Sequence, residues 1–333
     1  MIDSRYHLVS IAGVFLALAI GIVLGSTELQ GPTYDALNTT TWALQNDLGQ
    51  VSGLRDAAQN QLSFDEAYAA SVEPAVLRGL LTGQRLVIIT EPGAQPSVVT
   101  AIVNAATNDA GAAVTGQIAL QPAFFDTGSA SQASLKLINT DIAHALGITL
   151  NTGQTRQQQA AQILATAILT KSPESASGPA SVDGGAAAQA TLAAYARSGF
   201  LVTSGQPGTQ ATLAVVVTPQ TRPIDGTADP LAGLLVPVAQ DLAAKSAATV
   251  VAGTSGGSGP GSPIAALRAG FAASQVSTVD NADFVSGHAM VIQALATQLS
   301  GGKAGSYGTE GDGAVIVMPS PAARPSATPT SGK

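Results

Sequence analysis

The sequence predicts an α/β protein in three parts: one N-terminal transmembrane helix, a coiled-coil-like helix, and a mostly parallel sheet covered by helices. Three observations carry this prediction. Leu8 to Leu24 is almost purely apolar. A seven-residue apolar repeat then runs to Val76. From Gln84 onward, short continuous apolar runs rich in β-branched residues alternate with helical spacings. The expected division is an anchor at 1–28, a heptad helix at 29–82, an extracytoplasmic α/β domain at 84–318 and a disordered tail at 319–333.

The anchor comes first. No charged side chain lies between Tyr6 and Thr27, and roughly 20 helical residues cross a bilayer core. A signal-peptide core is shorter, about 7–15 residues, and follows a more basic start. Here Arg5 and the α-amino group are the only positive groups, with Asp3 between them, and Val23-Leu24-Gly25 is a weak cleavage site. A retained anchor is the favoured reading over a cleaved signal. Arg5 and the amino terminus then keep the N-terminus in the cytoplasm, and the remaining chain lies across a cell membrane. No later run has spanning length; Leu231 to Val238 and Ala247 to Ala252 are strand or core length. Gly13, Ala17, Gly21 and Gly25 recur every four residues along one slowly drifting helix face. Small residues there let two helices approach closely, although Gly and Ala are also simply common in membrane helices.

The heptad segment points the same way. Leu37, Leu44, Val51, Ala58 and Val72 are related by sevens, with Asp65 the exception. Thr41, Leu48, Leu62, Ala69 and Val76 form a second set four residues later, with Arg55 the exception. That offset is the seam of a coiled coil, for which Leu37, Leu44, Leu48, Val51 and Leu62 are the candidate packing residues. A parallel homodimer joins the two patterns economically. The alternative is an amphipathic helix packed on its own domain.

The α/β region begins with Leu86–Thr90 as a strand. Glu91-Pro92-Gly93 breaks it, Pro96 opens a helix over Val98–Asn108, and Ala113–Leu120 is the next strand. Helices are expected at 132–146 and 156–169, with a loop or mobile linker at 172–188. Strands follow at 199–203, 213–218, 248–252 and 276–280, and helices at 230–245, 264–272 and 284–299. Continuous apolar strands between helices imply a sheet covered on both faces. The tail after Pro319 is rich in Pro, Ser and Thr.

Composition excludes some functions. Of 333 residues, 45% are hydrophobic, only 11% are charged and none is cysteine, and the net charge is −7. Nucleic acid is not an expected partner, because phosphate contact needs a basic face. A disulfide framework and thiolate metal sites are excluded. Gly253-Thr254-Ser255-Gly256-Gly257 matches G-x-S-x-G after a strand, with Asp280 or Asp283 and then His288 following. A nucleophile elbow needs a helix directly after the serine, and here GGSGPGSP intervenes, so a flexible crossover is the better reading. The same loop lacks G-x-G-x-x-G and a Walker lysine. His7, His144 and His288 are scattered, Asp141 and His144 form only an i,i+3 pair, and the three methionines are Met1, Met290 and Met318. Soft copper(I) sites want sulfur ligands. Asp65-Glu66 reads as a solvated helix face. The expectation is a non-enzymatic protein without a cofactor.

Two stretches carry a family resemblance. MIDSRYHLVSIAGVFLALAIGIVLG has an aromatic-His-Val-Ser-type lead into an anchor that ends on glycine. VSTVDNADFVSGHAMVIQALATQLSGGKAGSYGTEGDGA has a Val-Asp-Asn before a helix and then Tyr307-Gly308. Both resemble the mycobacterial copper transport protein B (MctB) family of actinobacteria, over Met1 to about Pro319. The resemblance implies copper efflux through an outer-membrane pore. Related members are also implied in envelope division with a membrane partner at the septum. The residues fit a barrel poorly, since barrel strands alternate apolar and polar over about 10 residues. Two readings therefore stand: a copper-efflux component with copper as the transported ion, or a dimeric single-pass envelope scaffold that binds another protein.

Overall fold

The computed structural model describes residues 4–172, 180–220 and 232–310. It divides into two compact units, residues 1–65 and 66–333. Helix α1, Ser4–Leu77, is one element of 74 residues. Its first unit contains the apolar run and most of the heptads. The helix continues past Pro74, whose ring leaves the Ala70 carbonyl without its helical donor three residues before the helix ends at Leu77. Gly79 then takes a left-handed φ of 74° and ends it.

The second unit holds seven strands: β1 Arg85–Thr90, β2 Ala113–Leu120, β3 Leu201–Gly205, β4 Leu213–Val217, β5 Ala248–Ala252, β6 Ser277–Val279 and β7 Ser306–Tyr307. They form one sheet in the order β3-β2-β1-β4-β5-β6-β7. Every pairing is parallel except β2 with β3. The helices are α2 Pro96–Asn104, extended by a π-helical turn Ala105–Asp109, α3 Pro122–Phe125, α4 Ser129–Leu146, α5 Arg156–Ile168, α6 Ala180–Arg197, α7 Ala232–Lys245, α8 Pro263–Ala269 and α9 Val285–Leu299.

Leu-Ala-Val-Val-Val in β4 and Ala-Thr-Val-Val-Ala in β5 are buried at every position. Alternate residues feed two cores. Val87, Ile89, Val216 and Val251 pack with Leu164 of α5, Tyr195 of α6, Leu242 of α7 and Ile264 of α8. Leu86, Ile88, Val215 and Val250 pack with Leu77 of α1, Ile102 of α2 and Ile292 of α9. This is the doubly covered sheet that continuous apolar strands require.

Most expected elements fall within a few residues of those observed, and the differences have causes. The stretch 172–188 read as a loop is helical from Ala180, where Ala-rich sequence follows; residues 173–179 lie outside the described residues, as does the tail 319–333. Short α3 and the two-residue β7 have too little sequence to show a period. The edge strand β3 runs antiparallel to β2 and is separated from it by four helices, α3 to α6, instead of a single crossover helix.

Candidate functional site

Along α1, Tyr6–Gly25 is long and apolar enough to cross a membrane, and its side chains are exposed. A methyl group added at Gly13, Gly21 or Gly25 would meet nothing within 4 Å. Leu44, Leu48 and Val51 are also exposed, at 56%, 68% and 64%, and Leu62 at 45%; the side chain of Leu37 lies outside the described residues. The two polar interruptions are satisfied locally: Arg55 pairs with Asp56 at 2.8 Å, and Asp65 accepts from Gln61 Nε2 at 2.9 Å.

Open α/β sheets take ligands beyond the carboxyl ends of the strands where strand order reverses. Here that point lies between β1 and β4. The loops after these strands lean on each other. Gln95 Nε2 donates to Gln220 Oε1 at 3.3 Å. A methyl group at Gly93, whose φ is 86°, would meet Pro219 Cβ at 3.4 Å.

The glycine-rich loop after β5 makes hydrogen bonds to residues far along the chain. Asp283 accepts from the Ser255 N–H at 2.7 Å and from its hydroxyl at 2.5 Å. Ser258 Oγ donates to Glu310 Oε2 at 2.6 Å, and Ser262 Oγ caps α8 by accepting from Ala265 N. The Ser255, Asp280, His288 combination is not assembled. Ser255 is spent on Asp283, and Asp280 is fully buried in another network. Burial pushes the His288 pKa down, against the upward pull of the Ala282 carbonyl, Glu66 and Asp283.

Asp280 is the centre of a clamp that sequence reasoning did not find. Arg268 of α8 donates through Nη1 to Asp280 Oδ2 at 2.9 Å, through Nε to Thr278 Oγ1 and through Nη2 to the Tyr307 carbonyl. Asp280 also accepts from the N–H groups of Thr309 and Glu310. The carboxylate thereby fastens β7 and the residues after it to β6. Gly308, at φ 120°, is required there because a side chain would strike the Asp280 carboxylate. The Val-Asp-Asn and Tyr-Gly motifs noticed in the sequence are the two halves of this clamp. A second buried polar link joins Tyr195 Oη to Asn139 Oδ1 at 2.7 Å, and Asn139 donates onward to the Arg156 carbonyl.

Among the described residues, no three His, Cys, Asp or Glu side chains gather closely enough to hold a metal ion. His144 and Asp141 are exposed on α4. Glu66 departs from the solvated face expected of it: its Oε2 accepts from Val285 N, at the start of α9, at 2.9 Å.

These features define a class: an α/β protein on a long N-terminal helix whose apolar first 20 residues fit a membrane anchor. A family model described as "Copper transport outer membrane protein, MctB" matches residues 1–319, and the chain belongs to that family. It is similar to the copper transporter MctB of Mycobacterium tuberculosis, with 32% identity over 321 residues, 95% of this chain and 99% of that protein. The copper transporter MctB of Mycobacterium leprae is 29% identical over 327 residues, 96% of this chain and 100% of that protein. The family suggested by the two terminal stretches is the one found, and its name describes transport rather than a catalysed reaction.

Proposed function

We propose that this chain is a membrane-anchored envelope protein that serves copper efflux without catalysing a reaction. The carrying observation is the family match over residues 1–319, with relatives named copper transporters aligned over nearly their full length. The exposed apolar helix Tyr6–Gly25 supports the anchor. The thin positive flank at Arg5 supports a cytoplasmic N-terminus and an extracytoplasmic α/β domain. Copper is treated as cargo, with no resident cofactor. The described sheet is open, ends at β3 and β7 and has helices on both faces. A lipid-facing barrel has the opposite plan. Contribution to efflux therefore runs through assembly, with a second copy or with another envelope protein, rather than through a barrel built by this sheet. Copper content of a deletion strain under copper load tests this. Excess copper that returns to normal on complementation is expected; unchanged copper overturns it.

A specific observation favours a second reading, a dimeric scaffold for an envelope partner. Leu44, Leu48 and Val51 stand exposed on α1, and an apolar seam on a helix calls for a partner. Under this reading the deletion leaves copper unchanged and misplaces septa. Replacing residues 6–27 with an unrelated anchor separates roles for the spanning helix itself, because a helix that only tethers tolerates the exchange.

A further inference from the structure

The last turns of α1 belong to the α/β unit. Leu77, and Leu81 after the turn, are fully buried in the core that also takes Ile102 and Ile292. Two glutamates on this segment, Glu66 and Glu73, are seven residues apart and so share a helix face. Glu66 is spoken for, because its Oε2 accepts from Val285 N and satisfies one of the free N–H groups that open α9. Glu73 is placed differently. Its Oε1 is shut off from solvent and accepts no hydrogen bond. A carboxylate oxygen in that position loses its water without gaining a donor, which penalises the charged form.

The charged surroundings add to the penalty. On its own helix Glu73 faces Glu66. From the π-helical turn it faces Asp109. His288 of α9 lies near Glu66 and Asp283, and burial pushes its pKa down. Arg78 is exposed, and the ion pairs among the described residues, Arg55 with Asp56 and Arg268 with Asp280, involve neither glutamate. Burial first, then Asp109 and Glu66, push the Glu73 carboxyl up to about 7.

We propose that the junction between the long helix and the α/β domain is a proton-operated latch, in which Glu73 is protonated while residues 66–77 are docked and its ionisation loosens them. The sign follows from linkage. The docked segment binds a proton that the released segment gives up at lower pH, so docking weakens as pH rises and levels off once Glu73 is ionised in both states. A protein anchored in a membrane and exposed to a compartment of variable pH would thereby alter how firmly its helix holds its domain.

Amide hydrogen exchange of the full chain in detergent micelles tests this, with peptide 66–77 compared at about pH 5.5 and about pH 8.5 after correction for intrinsic exchange. Protection is expected to fall roughly ten-fold at the higher pH, an expectation discounted for partial exposure of the carboxyl. Glu73→Gln is expected to abolish the change. His288→Asn is expected to keep it, and Asp109→Asn to move its midpoint to lower pH. Equal protection in the native chain at both values overturns the latch. So does an undiminished change in Glu73→Gln, loss of the change in His288→Asn, or an unshifted midpoint in Asp109→Asn.

Discussion

Arg268 Nη1 and Asp280 Oδ2 lie 2.9 Å apart, with 15% of the arginine side chain and none of the aspartate exposed to solvent. Removing one member of such a pair leaves an uncompensated buried charge, a loss of about 3–5 kcal/mol. Asp280→Ala also strips the acceptor from Thr309 and Glu310. Urea unfolding of Asp280→Ala should show a drop of at least about 3 kcal/mol. Proteolysis should cut after β7 before the rest of the domain yields. A drop below about 1 kcal/mol would mean that the clamp is decorative.

Gly308→Ala probes the same clamp from the other side. The residue sits at φ 120° with the Asp280 carboxylate where a Cβ would go. Backbone strain and a steric clash together cost about 1–3 kcal/mol or more. The midpoint of thermal unfolding should fall, whereas Gly256→Ala, at φ 77° but with open space around it, should cost less. Equal losses would remove the steric part of the account.

The seam on α1 is open to direct trapping, because the chain has no cysteine. Leu48→Cys, or separately Leu44→Cys, should give a disulfide-linked dimer under mild oxidation in membranes. An outer-face control, Asn60→Cys, should give little. In a coiled coil, seam positions bring Cβ atoms within bridging distance and outer positions do not. Equal yields at seam and control would argue for random collision.

Two carboxyls set a pH dependence of stability. Burial raises Glu73 to about 7 and, against the pull of Lys245, Asp241 to about 6. The ordinary values of these carboxyls are lower, 4.5 and 3.8, so over the range between ordinary and raised values the folded state holds more protons. Stability therefore falls as pH rises from about 4 to about 7 and is flat above that range. Asp126 works in the opposite sense: Ser131 and Gly128 hold its carboxyl low, and its contribution is lost as pH falls through the acid range. Urea midpoints across pH should decline toward neutrality, with Glu73→Gln and Asp241→Asn each flattening the curve. A rising curve would contradict the burial of both groups.

Tyr195→Phe removes the hydroxyl that donates to buried Asn139. An orphaned acceptor costs about 1–3 kcal/mol, so calorimetry should record a loss in that range. No loss would show that solvent reaches Asn139.

Much of the fold was legible because local chemistry wrote it. Leu213–Val217 and Ala248–Ala252 are continuous apolar runs and became strands buried on both faces. Thr155 with Gln158 is a capping box at the start of α5. Two elements were not legible, each because its local sequence carries no clear period. Ala180–Ala188 reads as a loop next to a Pro/Ser/Gly-rich stretch, and Ser306–Tyr307 is too short for any period. The glycine-rich loop also looked flexible by composition; only its long-range partners Asp283, Gln220 and Glu310 hold it.

The sequence by itself determined an apolar helix of spanning length, the heptad stripe that follows it, and the alternation that produces a mostly parallel sheet. These depend on spacing along the chain, which a sequence displays directly. Only the tertiary structure decided which polar residues meet. Asp280 finds Arg268 and the backbone after Tyr307, and Glu66 finds Val285 across 219 residues. Those contacts depend on strand order β5-β6-β7 and on where α9 and the end of α1 fall against the sheet. No local period encodes that order. It is set when two apolar cores close on opposite faces of one sheet, and the charged side chains then take the partners that closure leaves within reach.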